Sequence, residues 1–233
     1  MTARIIFVVF VPFVVSSFVS AAAAQGRPPQ QPRRPSPPKM DLSIGVGFIG
    51  STGLGGTDAD LRGPTGGPFQ LFATSSRIGT SIPVEVRLDF LTGPRYVFEL
   101  RGVWSRPELQ TDVSEDIEGA PPLTLVESVD QYSLDIGLLV NLRPPRARTM
   151  IPFVAGGAGY VAAVHEGLTL LESGMTFRGG GGFKYPLAIR NTGRIKGTGV
   201  RVDGGLLGMT SGLATGSGTA FQVAASGSFY FMF

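Results

Sequence analysis

The sequence contains no cysteine, which removes disulfides, thiolate metal ligands and an acylated cysteine anchor at once. Histidine occurs once, so a zinc site of the H-E-x-x-H type is excluded. Beyond the N-terminal stretch, no apolar run approaches the roughly 20 residues that a helix needs to cross a bilayer. Helical spanning is therefore excluded. Charged residues are sparse, at 16% of the chain, and the net charge of +3 includes cations of the N-terminal segments. It gives no reason to expect a nucleic-acid partner.

What is present has a clear order. Residues 1–24 carry an early Arg4, an apolar run from Ile5 to Val19 and Ala22-Ala23-Ala24 before Gln25. This is the pattern of a secretory signal peptide with an A-x-A cleavage site. Residues 25–39 are basic and proline-rich, and are expected to form an extended periplasmic tether. Residues 40–233 are expected to form one domain.

In that domain, apolar residues recur at every second position over stretches of about 9 to 11 residues, the length of a tilted membrane-crossing strand. Eight such stretches are expected. In the second, Ile82, Val84, Val86, Leu88 and Phe90 share one face, and Glu85, Arg87 and Asp89 share the other. The first sets Leu42, Ile44, Val46 and Phe48 against Asp41 and Ser43, and the third sets Tyr96, Phe98, Leu100 and Trp104 against Glu99 and Arg101. Leu134, Ile136 and Leu138 oppose Asp135 in the fourth. The fifth, Ile151 to Val161, is rich in glycine; Tyr160 suggests that Val154, Ala158 and Tyr160 point outward. In the sixth, Phe177, Phe183 and Tyr185 oppose Arg178 and Lys184, and in the seventh Val200 and Val202 oppose Arg201 and Asp203. The last sets Phe221, Val223, Phe229, Phe231 and Phe233 against Gln222, Ser226 and Ser228.

Long links follow the odd strands (51–81, 106–128, 166–174, 210–218) and short ones follow the even strands. That alternation predicts an all-β, eight-stranded antiparallel up-and-down transmembrane β-barrel with external loops and periplasmic turns. A periodic segment, 69–73, is assigned to the first external loop, because a ninth strand would break the even count usual in such barrels. Phe48, Trp104, Tyr132, Tyr160, Phe177 and Phe221 then fall at the loop ends of the strands. Phe90, Tyr96, Tyr185, Phe231 and Phe233 fall at the turn ends. These are two membrane-interface girdles.

The inward faces carry Glu85, Asp89, Glu99, Asp135 and Asp203 against Arg87, Arg101, Arg178, Lys184 and Arg201. In a barrel this narrow, such a set reads as a plug of ion pairs; a gated path for ions or small solutes is the alternative. Gly45 to Gly50 matches G-x-G-x-x-G, but no helix can start at Ser51-Thr52-Gly53, so the match is accidental. His165 reads as an isolated surface histidine. A lipid-modifying hydrolase using it with Glu166 or Ser173 is a further alternative. Glu108, Asp112, Glu115, Asp116 and Glu118 form an acidic loop without the calcium-loop pattern. Arg95, Arg143, Arg146, Arg148, Arg190 and Arg194 lie on the opposite side, where anionic lipid heads are expected. No catalytic, cofactor or metal residue is assigned.

The stretches 152–160, 179–185 and 200–203 together with Phe233 resemble the small outer-membrane β-barrel family of OmpA-like and OmpX-like proteins. The resemblance covers residues 40–233. It implies outer-membrane localisation after export, with outer-membrane lipid and lipopolysaccharide as surroundings. It also implies that Phe229, Phe231 and Phe233 are the signal read by the barrel-assembly machinery. No wall-binding domain is expected after the barrel, so any wall anchoring is expected to fall to the tether. The expected role is non-enzymatic, envelope-structural or surface-interacting, with oligomeric state open. A soluble lipocalin-like binder is disfavoured, since its exterior should be polar.

Overall fold

The computed structural model describes residues 38–62, 68–114, 121–165, 171–190, 193–210 and 219–233, excluding the side chains of 57–62, 68, 69 and 171. The expected signal peptide lies outside the described residues, as does the tether apart from Pro38 and Lys39.

The described chain is all strand. Its elements are β1 (Met40–Ile49), β2 (Thr52–Arg62), β3 (Pro68–Ile78), β4 (Val84–Leu91), β5 (Tyr96–Ser105), β6 (Glu108–Ser114), β7 (Leu123–Asn141), β8 (Ile151–His165), β9 (Leu171–Ile189), β10 (Gly197–Thr210) and β11 (Thr219–Met232). Eight of them, β1, β4, β5, β7, β8, β9, β10 and β11, pair antiparallel in a closed ring. The seam joins β1 to β11, with Asp41 opposite Met232 and Ile49 opposite Ala224.

The side chains follow the strand period. Ile44, Val46, Val86, Phe98, Leu134, Ile136, Leu138, Val154, Phe183, Val202, Phe229 and their neighbours stand exposed on the outer face, while Arg87, Glu99, Asp135 and Arg201 are buried. A soluble fold has no reason to show water an unbroken apolar belt around its circumference. Lipid accounts for it, because a closed barrel satisfies every backbone group within the ring. The eight-stranded barrel therefore spans a membrane.

The sequence-based expectation needs correction above the belt. Segments 51–81 and 106–128 are not simply loops: β2, β3 and β6 pair in the order β2-β3-β6 onto the first third of β7, forming a second antiparallel sheet. Segment 69–73 belongs to β3. The even count survives because these strands lie outside the ring. β7 and β9, at 19 residues each, exceed the 9 to 11 needed to cross the bilayer, so both project beyond it.

Leu109 of β6 ties the two sheets together. It packs on Val129, Val161 and Ala163 at the barrel mouth and on Leu54, Ile78 and Ala220 beside it. Val97, Leu139 and Phe153 form an apolar layer near the turn end.

Candidate functional site

Between those apolar layers lies the ionic interior. Across β4 and β5 the inward pairs have like sign, with Arg87 opposite Arg101 and Asp89 opposite Glu99. Like charges directly opposite one another repel, so neutralisation has to come from the facing wall. It does. Arg87 Nη1 donates to Asp203 Oδ1 of β10 at 3.0 Å, and Lys184 Nζ of β9 donates to Asp89 Oδ2 at 2.6 Å. Glu99 receives Arg201 of β10 and Arg178 of β9. Arg201 also reaches Asp89 at 3.5 Å and Asp203 at 3.5 Å.

Around the near wall, Arg101 donates to Glu85 Oε2 through Nε at 3.0 Å and Nη2 at 2.8 Å, and lies 3.5 Å from Asp135. Arg87 Nη2 approaches Glu85 Oε1 to 2.7 Å as a charge contact rather than an aligned hydrogen bond. Hydroxyls fill remaining sites: Arg87 Nη2 donates to Ser226 Oγ at 2.8 Å, Ser226 donates to Asp203 at 2.8 Å, and Thr176 donates to Asp135 at 2.7 Å. The Arg201 guanidinium stands 4.7 Å from the Phe153 ring and Lys184 Nζ 5.7 Å from that of Tyr230. Both cations thus gain an aromatic face as well as a carboxylate.

All ten residues expected in the lumen network meet in this assembly. Asp41 belongs with them, although alternation alone had placed it only on the inward face. It sits opposite Asp89, and Lys184 bridges the two, 3.7 Å from Asp41. Among the described residues this network thus holds six acids (41, 85, 89, 99, 135, 203) against five bases (87, 101, 178, 184, 201). The cavity beside Arg101, Arg178, Asp203 and Ser226 has a volume of about 70 Å³. That suits a few waters and is well short of the roughly 300 to 1,000 Å³ of a ligand pocket.

Two inward glycines make room for Arg178. A Cβ on Gly157 would lie 3.3 Å from Arg178 Nε, and one on Gly137 would lie 2.8 Å from its Nη2. Elsewhere the glycines serve close approach of neighbouring backbones: a Cβ on Gly180 would collide with Gly204 O, one on Gly182 with Val202 O, and one on Gly159 with Leu134 O. Gly45 to Gly50 runs along and past β1 toward another strand, with no helix following.

The expected interface aromatics from Phe48 to Phe231 are exposed on the outer face. Phe229 and Phe231 point outward from β11, and the Phe233 carbonyl accepts the Lys39 N–H at 2.8 Å. Trp104 Nε1 donates to Asp130 at 3.4 Å at the loop end.

His165 is not an isolated surface residue. Its side chain is only 8% exposed; Nδ1 lies 3.2 Å from Glu127 and Nε2 3.6 Å from Glu172. The two carboxylates come from β7 and β9, on either side of β8, and no sequence spacing announces them. Ser173 pairs with Ala162, on the opposite face of the sheet from His165. Glu108 and Asp112 lie on β6; Glu115, Asp116, Glu118 and Glu166 lie outside the described residues.

No protein-family model and no curated protein matches the chain. Among solved structures it is similar to the outer membrane protein OprG from Pseudomonas aeruginosa, at 13% identity and a TM-score of 0.45, covering 84% of this chain and 97% of that one. It is also similar to Ail of Yersinia pestis, solved with the heparin analogue sucrose octasulfate (10% identity, TM-score 0.40, covering 84% and 99%). A third is the outer membrane protease OmpT from Escherichia coli (8% identity, TM-score 0.36, covering 85% and 98%). Role is therefore read from this chain's own residues.

Proposed function

We propose that the protein is an exported outer-membrane barrel of the OmpA-like or OmpX-like kind, with a non-enzymatic, envelope-structural or surface-interaction role. The observation that carries this reading is the filled interior. Opposite walls are tied by buried ion pairs, and the described residues close apolar layers near both ends, so the lumen is a brace. Interaction falls to what projects: the sheet of β2, β3, β6 and upper β7, with exposed Phe72, Leu123, Leu125 and Val126. Lipopolysaccharide is the expected neighbour on that side, and Phe229, Phe231 and Phe233 serve as the signal for the assembly machinery. In planar bilayers the refolded barrel is expected to show no single-channel openings; stable unitary openings would replace this reading with the narrow pore.

A second reading has one observation in its favour, the burial of His165 between Glu127 and Glu172. A base flanked by two acids is a fitting start for hydrolysis of lipid esters. Incubation with labelled lipopolysaccharide separates the two readings: product formed by the native barrel and lost in His165→Ala establishes the hydrolase.

A further inference from the structure

Charge outside the belt is distributed unequally between the barrel's ends. At the loop end, Glu108, Asp112, Glu127, Asp130 and Glu172 outnumber Arg77 and Arg106 among the described residues. At the turn end, 92–95, 142–150 and 190–196 contain no Asp or Glu. Those turns hold Arg95, Arg143, Arg146, Arg148, Arg190, Arg194 and Lys196, and Lys39 stands beside the β1–β11 seam.

In ring order these cations sit at β4/β5, β7/β8, β9/β10 and β11/β1, every second strand boundary. They form a collar around the circumference instead of a patch on one side. Lys39 and the six arginines are exposed and make no ion pair among the described residues.

Backbone hydrogen bonds anchor described residues of these turns. Arg148 adopts a left-handed backbone at φ 54°, uncommon for a residue with a side chain, and its N–H donates to Pro186 O at 3.0 Å. Arg190 N–H donates to Lys196 O at 2.6 Å and Thr92 N–H to Tyr96 O at 3.2 Å. Exposed Leu142, Met150, Ile189 and Ile195 are interleaved with the cations. A soluble anionic polymer would leave those apolar side chains in water, whereas lipid accepts both groups at one depth.

We propose that this collar binds anionic phospholipid headgroups of the leaflet at the turn end, holding lipid phosphates just beyond the girdle of Phe90, Tyr96, Tyr185 and Phe231. The arrangement is a guanidinium ring over an aromatic ring, so the phosphate meets charge and its acyl chains meet the belt. This inference needs only the membrane-spanning fold and stands apart from any role of the external sheet.

The test uses the full chain reconstituted in phosphatidylcholine vesicles with trace spin-labelled phosphatidylglycerol or phosphatidylcholine, comparing the motionally restricted fraction of each. Labelled phosphatidylglycerol is expected to be enriched at the barrel, on the order of fivefold for each phosphate held by one cation. Raising salt from about 0.01 M to about 1 M, which shortens the screening length from about 30 Å to about 3 Å, should remove most of the preference. Inorganic phosphate at low millimolar levels should not, which separates a headgroup site from a free-phosphate site. Arg143→Gln and Arg146→Gln together, and Arg190→Gln and Arg194→Gln together, should each lower the enrichment, with the corresponding Lys replacements retaining it. Heat-dependent gel migration verifies folding, and because the two turns are separate, each pair is read independently. Equal association of the two labels with the native barrel overturns the proposal, as does a preference that survives both Gln pairs.

Discussion

Glu99 shows what one residue does in this interior. It is 0% exposed and receives both Arg201 and Arg178, so it ties β5 to β9 and β10 at once. Replacing it by leucine leaves two buried guanidinium groups short of a partner, and losing one side of a buried pair costs on the order of 3 to 5 kcal/mol. Urea unfolding of refolded Glu99→Leu is expected to show a loss of that size. Gly157 acts by having no side chain. Gly157→Val sets a Cβ 2.5 Å from the Ile136 carbonyl oxygen and 3.3 Å from Arg178 Nε, and overpacking of this kind costs roughly 1 to 3 kcal/mol. Gly102→Ala, with nothing within 4 Å of the added Cβ, should unfold at the native urea concentration. His165 marks what the sequence concealed. Its partners are set by register, with Val129 opposite His165 and Glu172 opposite Ala163, and neither pairing is written in local spacing.

At the scale of elements, the strands that could be read are those with lipid on one face. Val84-Glu85-Val86-Arg87 alternates because one face meets hydrocarbon and the other meets the lumen, and the ring strands carry the same contrast except in β8 and the glycine run of β9. β8 is weaker because Gly157 and Gly159 replace inward side chains. β2, reading Thr-Gly-Leu-Gly-Gly-Thr-Asp-Ala-Asp-Leu-Arg, stands outside the belt and has no apolar solvent to pattern against, so its sequence resembles a loop. β6 alternates poorly for the same reason. Deleting residues 51–78 and joining Gly50 to Gly79 by a short turn should leave the ring closed, since Ser81 bridges back to Ile49 and β4 pairs directly with β1. The expected cost is about 1.5 to 3 kcal/mol for each of the two buried side chains lost, Leu54 and Ile78. Boiled and unboiled samples of the deletion should still migrate differently; identical migration would show that the outer sheet is needed to close the barrel.

For the whole molecule, the division between lipid-facing and inward residues was legible in the alternation, and the ten lumen charges followed from it. What could not be read was which charge meets which. Individual strands carry mixed sign, as in Glu85-Arg87-Asp89, and the pairing depends on the ring bringing β4 and β5 face to face with β9 and β10. The brace is a property of closure and of no single segment.

The seam between β1 and β11 sets a timetable. Asp41 and Met232 are neighbours in space and far apart along the chain, so the ring shuts only when the intervening strands have been delivered in order. Until then β1 has a bare edge. Long-range pairing of this kind is slow and leaves an unpaired strand that invites the wrong partner. The length of that exposed interval is thus imposed by the topology itself, by the distance along the chain between the first and last strands to meet.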